Sequence, residues 1–227
     1  MAARVVALVP AAGSGSRFGG ALPKQFLQIG GRPLLAWTLE RLLACGVDEL
    51  TVARPAAEVE RAREMGLDDR VRVIAGGASR QDSVARALAA SPGGEHDLVL
   101  VHDGARPAVA PADVARTVAA AASADGAVLG RSLGDTLKRV AGGVIASTVP
   151  REGLFRAETP QVFRRGVLAR ALDAARRDGF EGTDESALVE RLGDMRVLAV
   201  EATARNPKLT TPADLELVRA LLLGGQG

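Results

Sequence analysis

The sequence lacks several residue types that common classes of protein need. It contains no tyrosine, and aromatic residues make up only 3% of the chain. Nucleic-acid-binding proteins stack bases on aromatic side chains beside rows of Lys and Arg, whereas the formal net charge here is only +2. The single cysteine, Cys45, excludes an internal disulfide and fits a reducing compartment. We therefore expect neither a nucleic-acid-binding protein nor a disulfide-bonded secreted one.

Long apolar runs are also missing. No stretch reaches the roughly 18 consecutive apolar residues of a membrane-spanning helix. The first residues form a short strand-like run and not the long apolar segment and cleavage site of a signal peptide. Over 227 residues, 47% are hydrophobic and 25% charged, which is typical of a globular chain. We expect a cytoplasmic protein with no membrane partner and one domain over residues 1–227.

Short apolar runs alternate with longer amphipathic segments along most of the chain. This alternation is typical of βαβ units around a parallel sheet and predicts an α/β fold. The predicted strands are 4–10, 49–53, 71–75, 97–101, 127–130 and 196–200. The predicted helices are 33–45, 56–65, 80–90, 111–122, 165–177, 184–192 and 212–223.

The alternation breaks at residues 135–149, where no helix follows. Polar and apolar residues alternate there on both sides of Gly142-Gly143, a dipeptide that favours a tight turn. The segment predicts a β-hairpin at about 135–150. We expect it to protrude as a β-arm that suits dimerisation.

A glycine-rich loop follows directly after the first predicted strand. Its small side chains let backbone N–H groups approach phosphate oxygens, and Arg17 and Lys24 add cationic donors. A dinucleotide-binding motif would need Gly in place of Phe18, and a P-loop would need Gly-Lys followed by Ser or Thr. A turn with solvated charges is the simpler alternative. The residues of this predicted triphosphate-binding loop are Pro10, Ala11, Ala12, Gly13, Ser14, Gly15, Arg17 and Lys24.

A second motif, residues 102–107, ends the apolar strand predicted at 97–101. Open α/β sheets place their ligands at the carboxyl ends of strands. Asp103 there can hold Mg²⁺, which prefers one or two carboxylates with phosphate oxygens and water, and Arg106 can pair with a phosphate. The alternative is that Asp103 caps a turn and Arg106 is a surface residue. For His102 we expect a hydrogen-bonded histidine at a strand end.

A third motif, residues 76–83, places two glycines between a strand and a helix. Close backbone approach at Gly77 and the hydroxyl of Ser83 would suit recognition of a base or a ribose. A capped helix start explains the same residues equally well.

Together these segments resemble the 2-C-methyl-D-erythritol 4-phosphate cytidylyltransferase family of the non-mevalonate isoprenoid pathway. The resemblance runs from the first strand to the last helix, and further family-like segments lie at 135–139, 149–154, 159–161, 183–185 and 206–212. It implies a Rossmann-like nucleotidyltransferase fold with a mainly parallel central sheet, flanking helices and a protruding β-arm. It also implies transfer of a cytidylyl group from CTP to 2-C-methyl-D-erythritol 4-phosphate, with Mg²⁺ as cofactor, in a homodimer.

The resemblance assigns roles to individual residues. The loop residues Ala11 to Gly13, Arg17 and Lys24 would line the triphosphate site, while Gly77 and Ser83 would contact the cytosine nucleotide and Asp103 would lie near the magnesium. The partner subunit would supply some acceptor contacts, notably Arg151 and Thr159. The acceptor site would comprise Gly104, Arg106, Thr136, Arg151, Thr159, Thr183 and Lys208. The catalytic charges would be Arg17, Lys24, Arg151 and Lys208.

Two departures and two alternatives accompany this resemblance. Ala78 stands where relatives often carry an acidic residue, and Phe18 replaces a more usual methionine. Transfer to another polyol phosphate, such as ribitol 5-phosphate, fits a similar set of motifs. A nucleotide-sensing protein that has lost catalysis is the alternative outside enzymes.

Overall fold

A seven-stranded sheet forms the centre of the computed structural model, which describes residues 4–13, 27–64 and 66–224. In these ranges the strands are β1 (Val5–Pro10), β2 (Gln28–Ile29), β3 (Arg32–Pro33), β4 (Glu49–Arg54), β5 (Val71–Ala75), β6 (Leu98–Val101), β7 (Gly126–Ser132), β8 (Leu137–Ala141), β9 (Val144–Val149), β10 (Phe155–Arg164) and β11 (Val197–Glu201). The helices are α1 (Leu34–Ala44), α2 (Val59–Arg63), α3 (Arg80–Ala90), α4 (Pro111–Ala122), α5 (Arg165–Arg177), α6 (Glu185–Glu190) and α7 (Asp214–Leu223). No helix among these residues combines the length and apolar character needed to cross a membrane.

The central sheet is mainly parallel, as the sequence predicts. Its strand order is β11-β7-β10-β6-β1-β4-β5. The pairs β1–β4, β1–β6, β4–β5 and β7–β11 are parallel, whereas β10 runs antiparallel between β6 and β7. The carboxyl ends of β1 and β6 therefore lie side by side at one edge of the sheet.

Both faces of the sheet are covered by helices, which explains the continuous apolar character of its strands. Along β1, Ala7 and Val9 pack on one face with apolar side chains of α1 and α4. Val6 and Leu8 pack on the other face with those of α3, α5 and α6. All four residues are fully buried.

Most predicted elements are confirmed. The helices predicted at 80–90, 111–122 and 165–177 and the strand predicted at 71–75 have the observed bounds. The helix predicted at 56–65 is a short 3₁₀ turn, Ala56–Glu58, followed by the five-residue α2. The helix predicted at 184–192 is shorter, because Asp184 caps its start and it ends at Glu190.

The ten-residue strand β10 was not predicted from the sequence. Pro160 lies within it, and proline cannot donate a hydrogen bond to a neighbouring strand. The pairing of β10 with β7 shifts register between Ala157 and Gln161, so the proline falls in this irregular segment. A bulge of this kind is where a strand tolerates proline.

The predicted hairpin is present as β8 and β9, which pair antiparallel with each other. Its turn residues Gly142 and Gly143 have φ angles of 56° and 78°, a backbone conformation that glycine adopts without strain. Three apolar side chains on it are exposed: Val140 by 57%, Val144 by 69% and Ile145 by 62%. Whether this hairpin acts as a dimerisation arm stays a prediction.

Candidate active site

Asp103 lies directly after β6 and is surrounded by three cationic side chains. Lys208 Nζ is 2.8 Å from its Oδ2, Arg106 Nε is 3.5 Å from the same oxygen, and Arg80 Nε is 3.3 Å from Oδ1. We call these four residues the Asp103 cluster. Burial alone would raise the pKa of Asp103, but the surrounding cations hold it well below its usual range. The carboxylate is therefore ionised at neutral pH and orients the three cations.

Arg80 also connects the cluster to α6. Its Nη1 and Nη2 donate to Oε1 and Oε2 of Glu185 at 2.7 and 2.9 Å. Glu185 is only 1% exposed. Although burial opposes it, Glu185 and Asp103 raise the pKa of Arg80 above its ordinary value. Arg80 therefore stays charged between two carboxylates that come from different parts of the chain.

His102 is fully buried and neutral, as expected for a hydrogen-bonded histidine at a strand end. Its Nε2 is 2.9 Å from the carbonyl oxygen of Arg106, which can only accept, so Nε2 carries the proton. Nδ1 then accepts from the hydroxyl of Thr159 at 3.1 Å, and that hydroxyl accepts from the backbone N–H of Asp103 at 3.0 Å. Burial lowers the pKa of His102 to about 4. This chain of hydrogen bonds fixes the backbone that presents Asp103.

The start of the predicted triphosphate-binding loop is fixed by β4. The N–H of Ala11 donates to Ala53 O at 2.8 Å, and Arg54 Nη1 donates to Ala11 O at 3.0 Å. Gly76 lies close beside Ala12, since a Cβ on Gly76 would be 2.6 Å from the Ala12 Cβ. Pro10 ends β1 and Gly13 is exposed. Four predicted loop residues lie outside the described residues: Ser14, Gly15, Arg17 and Lys24.

The loop at Gly77 is held by the start of α3. Ser79 caps this helix by accepting from the N–H of Asp82. The Ser83 hydroxyl accepts from Gly77 N–H at 3.0 Å and donates to Ser79 O at 2.9 Å, while Asp82 accepts from Ala78 N–H at 3.1 Å. Ser83 is 1% exposed. Its hydroxyl orients the Gly77 amide, and direct contact of Ser83 with a nucleotide stays a prediction.

Lys208 reaches the cluster from a loop that is bound to β10 and to the segment after β6. Arg106 Nη1 donates to the carbonyl of Asn206 at 2.7 Å, and the Asn206 side chain donates to Thr159 O at 2.7 Å. The N–H of Leu209 donates to the carbonyl of Ala105 at 2.8 Å. These bonds place three predicted site residues, Asp103, Arg106 and Lys208, at one edge of the sheet.

The other predicted acceptor residues have different surroundings. Thr136, Arg151 and Thr183 are exposed, and among the described residues none bonds to the Asp103 cluster; Arg151 donates to the carbonyl of Gly134. Thr159 is 4% exposed, and its hydroxyl serves His102 and Asp103 of its own chain. Gly104 is buried beneath Ala11 and Val9. The roles of these residues toward an acceptor stay predictions.

Asp103 has the chemistry of a magnesium ligand but does not form a protein metal site by itself. No group of three or more His, Cys, Asp or Glu side chains that could hold a metal occurs in the described part of the chain. Both Asp103 oxygens already lie near cationic nitrogens. The residue therefore fits one protein ligand of an ion that phosphate oxygens bring with them, which is how Mg²⁺ is commonly held.

Arg80, Glu185 and Glu158 belong to the site but were not singled out from the sequence. Arg80 follows a capping serine and Glu185 follows a capping aspartate, so each has a local role at a helix start. Glu158 precedes the family-like segment at 159–161. No local signal indicates that Arg80 and Glu185, or Glu158 and Arg106, meet in space.

Similar proteins share one name. A family model described as 2-C-methyl-D-erythritol 4-phosphate cytidylyltransferase matches residues 5–223. The protein of that name from Acidobacterium capsulatum is 45% identical over 228 residues, which cover 94% of this chain and 95% of that protein. The one from Chromobacterium violaceum is 47% identical over 222 residues, which cover 96% of this chain and 97% of that protein.

Solved structures agree with these relatives. A crystal structure of 4-diphosphocytidyl-2C-methyl-D-erythritol synthase matches with a TM-score of 0.85 and 36% identity, covering 98% of this chain and 99% of that one. The crystal structure of 2-C-methyl-D-erythritol 4-phosphate cytidylyltransferase from Thermus thermophilus matches with a TM-score of 0.79 and 40% identity. The match covers 97% of this chain and 98% of that one.

Proposed function

Because the chain belongs to the 2-C-methyl-D-erythritol 4-phosphate cytidylyltransferase family, we propose that it transfers a cytidylyl group from CTP to 2-C-methyl-D-erythritol 4-phosphate. The products are 4-diphosphocytidyl-2-C-methyl-D-erythritol and pyrophosphate. The main structural support is the Asp103 cluster, which presents Arg80, Arg106 and Lys208 beside the end of β1, where the predicted triphosphate-binding loop begins.

The reaction is an in-line attack by a phosphate oxygen of the acceptor on the α-phosphorus of CTP. The new P–O bond forms as the bond to pyrophosphate breaks, so no covalent enzyme intermediate is needed. A phosphate dianion must approach a polyanionic triphosphate, and this repulsion is offset by fixed cations that also align the reactants. Lys208 and Arg106 hold the acceptor phosphate, and Arg17 and Lys24 hold the triphosphate.

The nucleotide lies across two loops, the one that follows β1 and the one that follows β5. Ala11 fixes the start of the first loop through its hydrogen bonds to β4, and the backbone at 12–13 approaches the phosphates. The backbone at Gly77, whose N–H is bound by Ser83, lies toward the base or ribose. Ala78 offers no acidic side chain, so nearby backbone groups take over that part of the recognition. Pro10, Ser14 and Gly15 complete the loop.

Mg²⁺ accompanies the triphosphate, with Asp103 as the protein residue that would hold it. When bound, the ion supplies positive charge that neutralises the phosphate oxygens. Asp103 also keeps Lys208 and Arg80 in place through its ion pairs, a task that does not depend on the metal.

The working unit is a cytoplasmic homodimer of single-domain chains, joined through the hairpin of β8 and β9. Apolar side chains exposed on the hairpin suit a protein contact. Arg151 and Thr136 lie at the base of the hairpin, so a partner's acceptor site would be within their reach in such a dimer. Thr183 and Gly104 contribute to the acceptor site from within the chain, and Thr159 supports it through Asp103.

A pyrophosphate-release assay tests this function. The purified protein would be given each of four nucleoside triphosphates with Mg²⁺ and either 2-C-methyl-D-erythritol 4-phosphate or ribitol 5-phosphate. We expect release only with CTP and the first acceptor, and release only with ribitol 5-phosphate would overturn the acceptor assignment. Lys24→Ala and Arg17→Ala should each lower turnover by about a hundredfold, since one fixed charge at such a centre is worth about 3 kcal/mol. Binding of CTP without any turnover would favour a nucleotide sensor.

A further inference from the structure

A cavity of about 550 Å³ lies beside the Asp103 cluster on the side of β7 and β10. Its volume is in the range of sites that bind small molecules. Five cationic side chains line it: Arg106, Arg131, Arg156, Arg205 and Lys208. Two of these belong to the acceptor side of the proposed active site, whereas Arg131, Arg156 and Arg205 have no role in the reaction described above.

Glu158 lies at the wall of this cavity and is only 4% exposed. Its Oε1 is 3.0 Å from Arg156 Nη2 and 3.6 Å from Arg131 Nε, and its Oε2 is 3.8 Å from Arg106 Nη1. One carboxylate thus faces three guanidinium groups. Oε2 is buried and makes no hydrogen bond among the described residues.

The cavity carries more positive than negative charge. Its lining includes one more carboxylate, Asp214, which accepts hydrogen bonds from the backbone of Thr210 and Thr211. Asp103 pairs with Lys208 from behind the lining. Even with Asp103 counted, three carboxylates are outnumbered by five cations, and a concave surface with such an excess concentrates anions from solution.

The guanidinium of Arg131 is fixed by hydrogen bonds, whereas that of Arg205 is exposed to solvent. Arg131 donates to the backbone carbonyls of Ala202 and Ala204, which fixes its position between β7 and the end of β11. Arg205 is exposed and makes no ion pair with any described residue. Planar guanidinium groups match the geometry of phosphate oxygens better than any other side chain does.

We propose that this cavity binds the phosphate group of a small molecule at a site separate from that of the nucleotide triphosphate. Arg131, Arg156 and Arg205 form its outer wall, and Arg106 and Lys208 form the wall shared with the active site. The ligand is a phosphorylated metabolite other than the two substrates, because Arg131, Arg156 and Arg205 lie outside the acceptor contacts described above. Binding requires no turnover, so the proposal stands apart from the proposed reaction.

Two substitutions with opposite expected effects on phosphate affinity test the cavity, and inorganic phosphate is the probe. Calorimetric titration of Arg205→Glu should give an affinity for phosphate that is roughly tenfold lower than that of the wild type, because a charge-assisted contact becomes a repulsion. Glu158→Gln should bind phosphate several-fold more tightly, since the buried carboxylate that competes for three arginines is gone. The predicted triphosphate-binding loop is unchanged in both variants, so it cannot produce these opposite shifts.

Matched controls change the same residue types elsewhere on the surface. Arg170→Glu and Glu181→Gln lie at exposed positions outside the cavity and should leave phosphate affinity unchanged. Urea unfolding checks that each variant is folded, and Arg205 is exposed enough that its variant should be. Unchanged affinity in both Arg205→Glu and Glu158→Gln would overturn the proposal.

Kinetics with the acceptor then identify the source of the phosphate. If KM for the acceptor shifts in parallel with the phosphate affinity in Arg205→Glu, the cavity is part of the acceptor site and the proposal of a separate ligand fails. If a separate metabolite occupies the cavity, KM for the acceptor is unchanged in Arg205→Glu while the inhibition constant of added phosphate shifts. Should the protein prove inactive, the calorimetric result still decides whether the cavity binds phosphate, so the two proposals fail independently.

Discussion

The guanidinium of Arg80 makes two hydrogen bonds to the carboxylate of Glu185, a residue 105 positions later in the chain. Arg80 begins α3 and Glu185 begins α6, so the pair connects the loop at Gly77 to the segment that contains Thr183. The third partner is Asp103 at the end of β6. The predicted nucleotide side and the predicted acceptor side of the active site therefore share one ion-pair network.

Loss of Arg80 should be costly, because Glu185 would be left buried and unpaired. We expect Arg80→Ala to lower the free energy of unfolding by about 3–5 kcal/mol, as measured by urea denaturation. The double variant Arg80→Met with Glu185→Leu should recover a large part of that loss, since no isolated charge remains buried. The exposed pair Arg191–Asp178 is the control, and Arg191→Ala should have a small effect. A single variant as stable as the wild type would contradict this role.

His102 should make stability depend on pH below neutrality. Its pKa is about 4 in the folded protein and about 6.5 in an unfolded chain, so the unfolded state binds more protons between these values. The stability that the neutral His102 contributes is fully present above about pH 6.5. It is lost as the pH falls toward 4, by up to about 3 kcal/mol of unfolding free energy. His102→Gln, which keeps a donor for the Arg106 carbonyl, should flatten this slope in urea unfolding curves between pH 4.5 and 7.

The control for this measurement is His96→Gln, because His96 is exposed and lies at the opposite end of β6 from His102. The His96→Gln variant should retain the wild-type dependence of unfolding free energy on pH. The groups nearest the imidazole are Asp103 and Arg106, and the depressed pKa of Asp103 adds its own loss of stability only at more acidic pH. An identical slope in His102→Gln would show that another group is responsible.

Gly76 should not tolerate a side chain. A Cβ there would lie 2.6 Å from the Ala12 Cβ, which is fixed to the backbone, and 2.9 Å from the Ser83 Oγ, which is held by hydrogen bonds to Gly77 and Ser79. We expect Gly76→Ala to displace the start of the triphosphate-binding loop at a cost of about 1–3 kcal/mol and to weaken CTP binding in calorimetry. Gly94→Ala, where no atom lies within 4 Å of the new Cβ, should bind CTP as the wild type does.

The exposed apolar residues of the hairpin should govern self-association. Ile145→Asp places a charge on a side chain that is 62% exposed, so the fold should tolerate it while a hairpin-mediated dimer should weaken. Sedimentation velocity of the wild type and the variant measures this, with Arg177→Asp, at an exposed position on α5, as the control. A wild-type monomer, or a dimer indifferent to Ile145→Asp, would argue against the arm.

A complementation assay tests whether the acceptor site is shared between subunits. Arg151→Ala chains and Lys24→Ala chains would each be inactive alone. In a mixed dimer, one site would combine an intact Lys24 with an intact Arg151 from the partner, so part of the pyrophosphate release should return. No recovery on mixing would indicate that each chain builds its site alone.

The elements predicted best are those with strong local signals. The bounds of α3 follow from Ser79, which caps it, and β5 stands out as a short β-branched run before two glycines. The turn at Gly142-Gly143 was likewise predictable, because both residues adopt positive φ angles that favour glycine. Local chemistry determines these features, so one sequence is enough to identify them.

The features that escaped prediction depend on contacts between distant segments. Strand β10 contains Pro160 and charged residues, and only pairing with β6 and β7 makes it a strand. The hydrogen bonds of the Thr159 hydroxyl to His102 and the Asp103 backbone were not predicted, while its contact with the acceptor stays a prediction. The partners of Arg80 and Glu158 could not be predicted either, because an ion pair leaves no pattern in a single sequence.

Adjacent residues of β10 serve different regions of the protein: Glu158 faces the arginines of the cavity, and Thr159 bonds to the backbone that presents Asp103. A one-residue insertion or deletion in this strand would shift both side chains at once. Insertions and deletions in β10 should therefore not produce enzymes with new acceptor preferences. Related enzymes should instead differ here by substitutions within a strand of constant length.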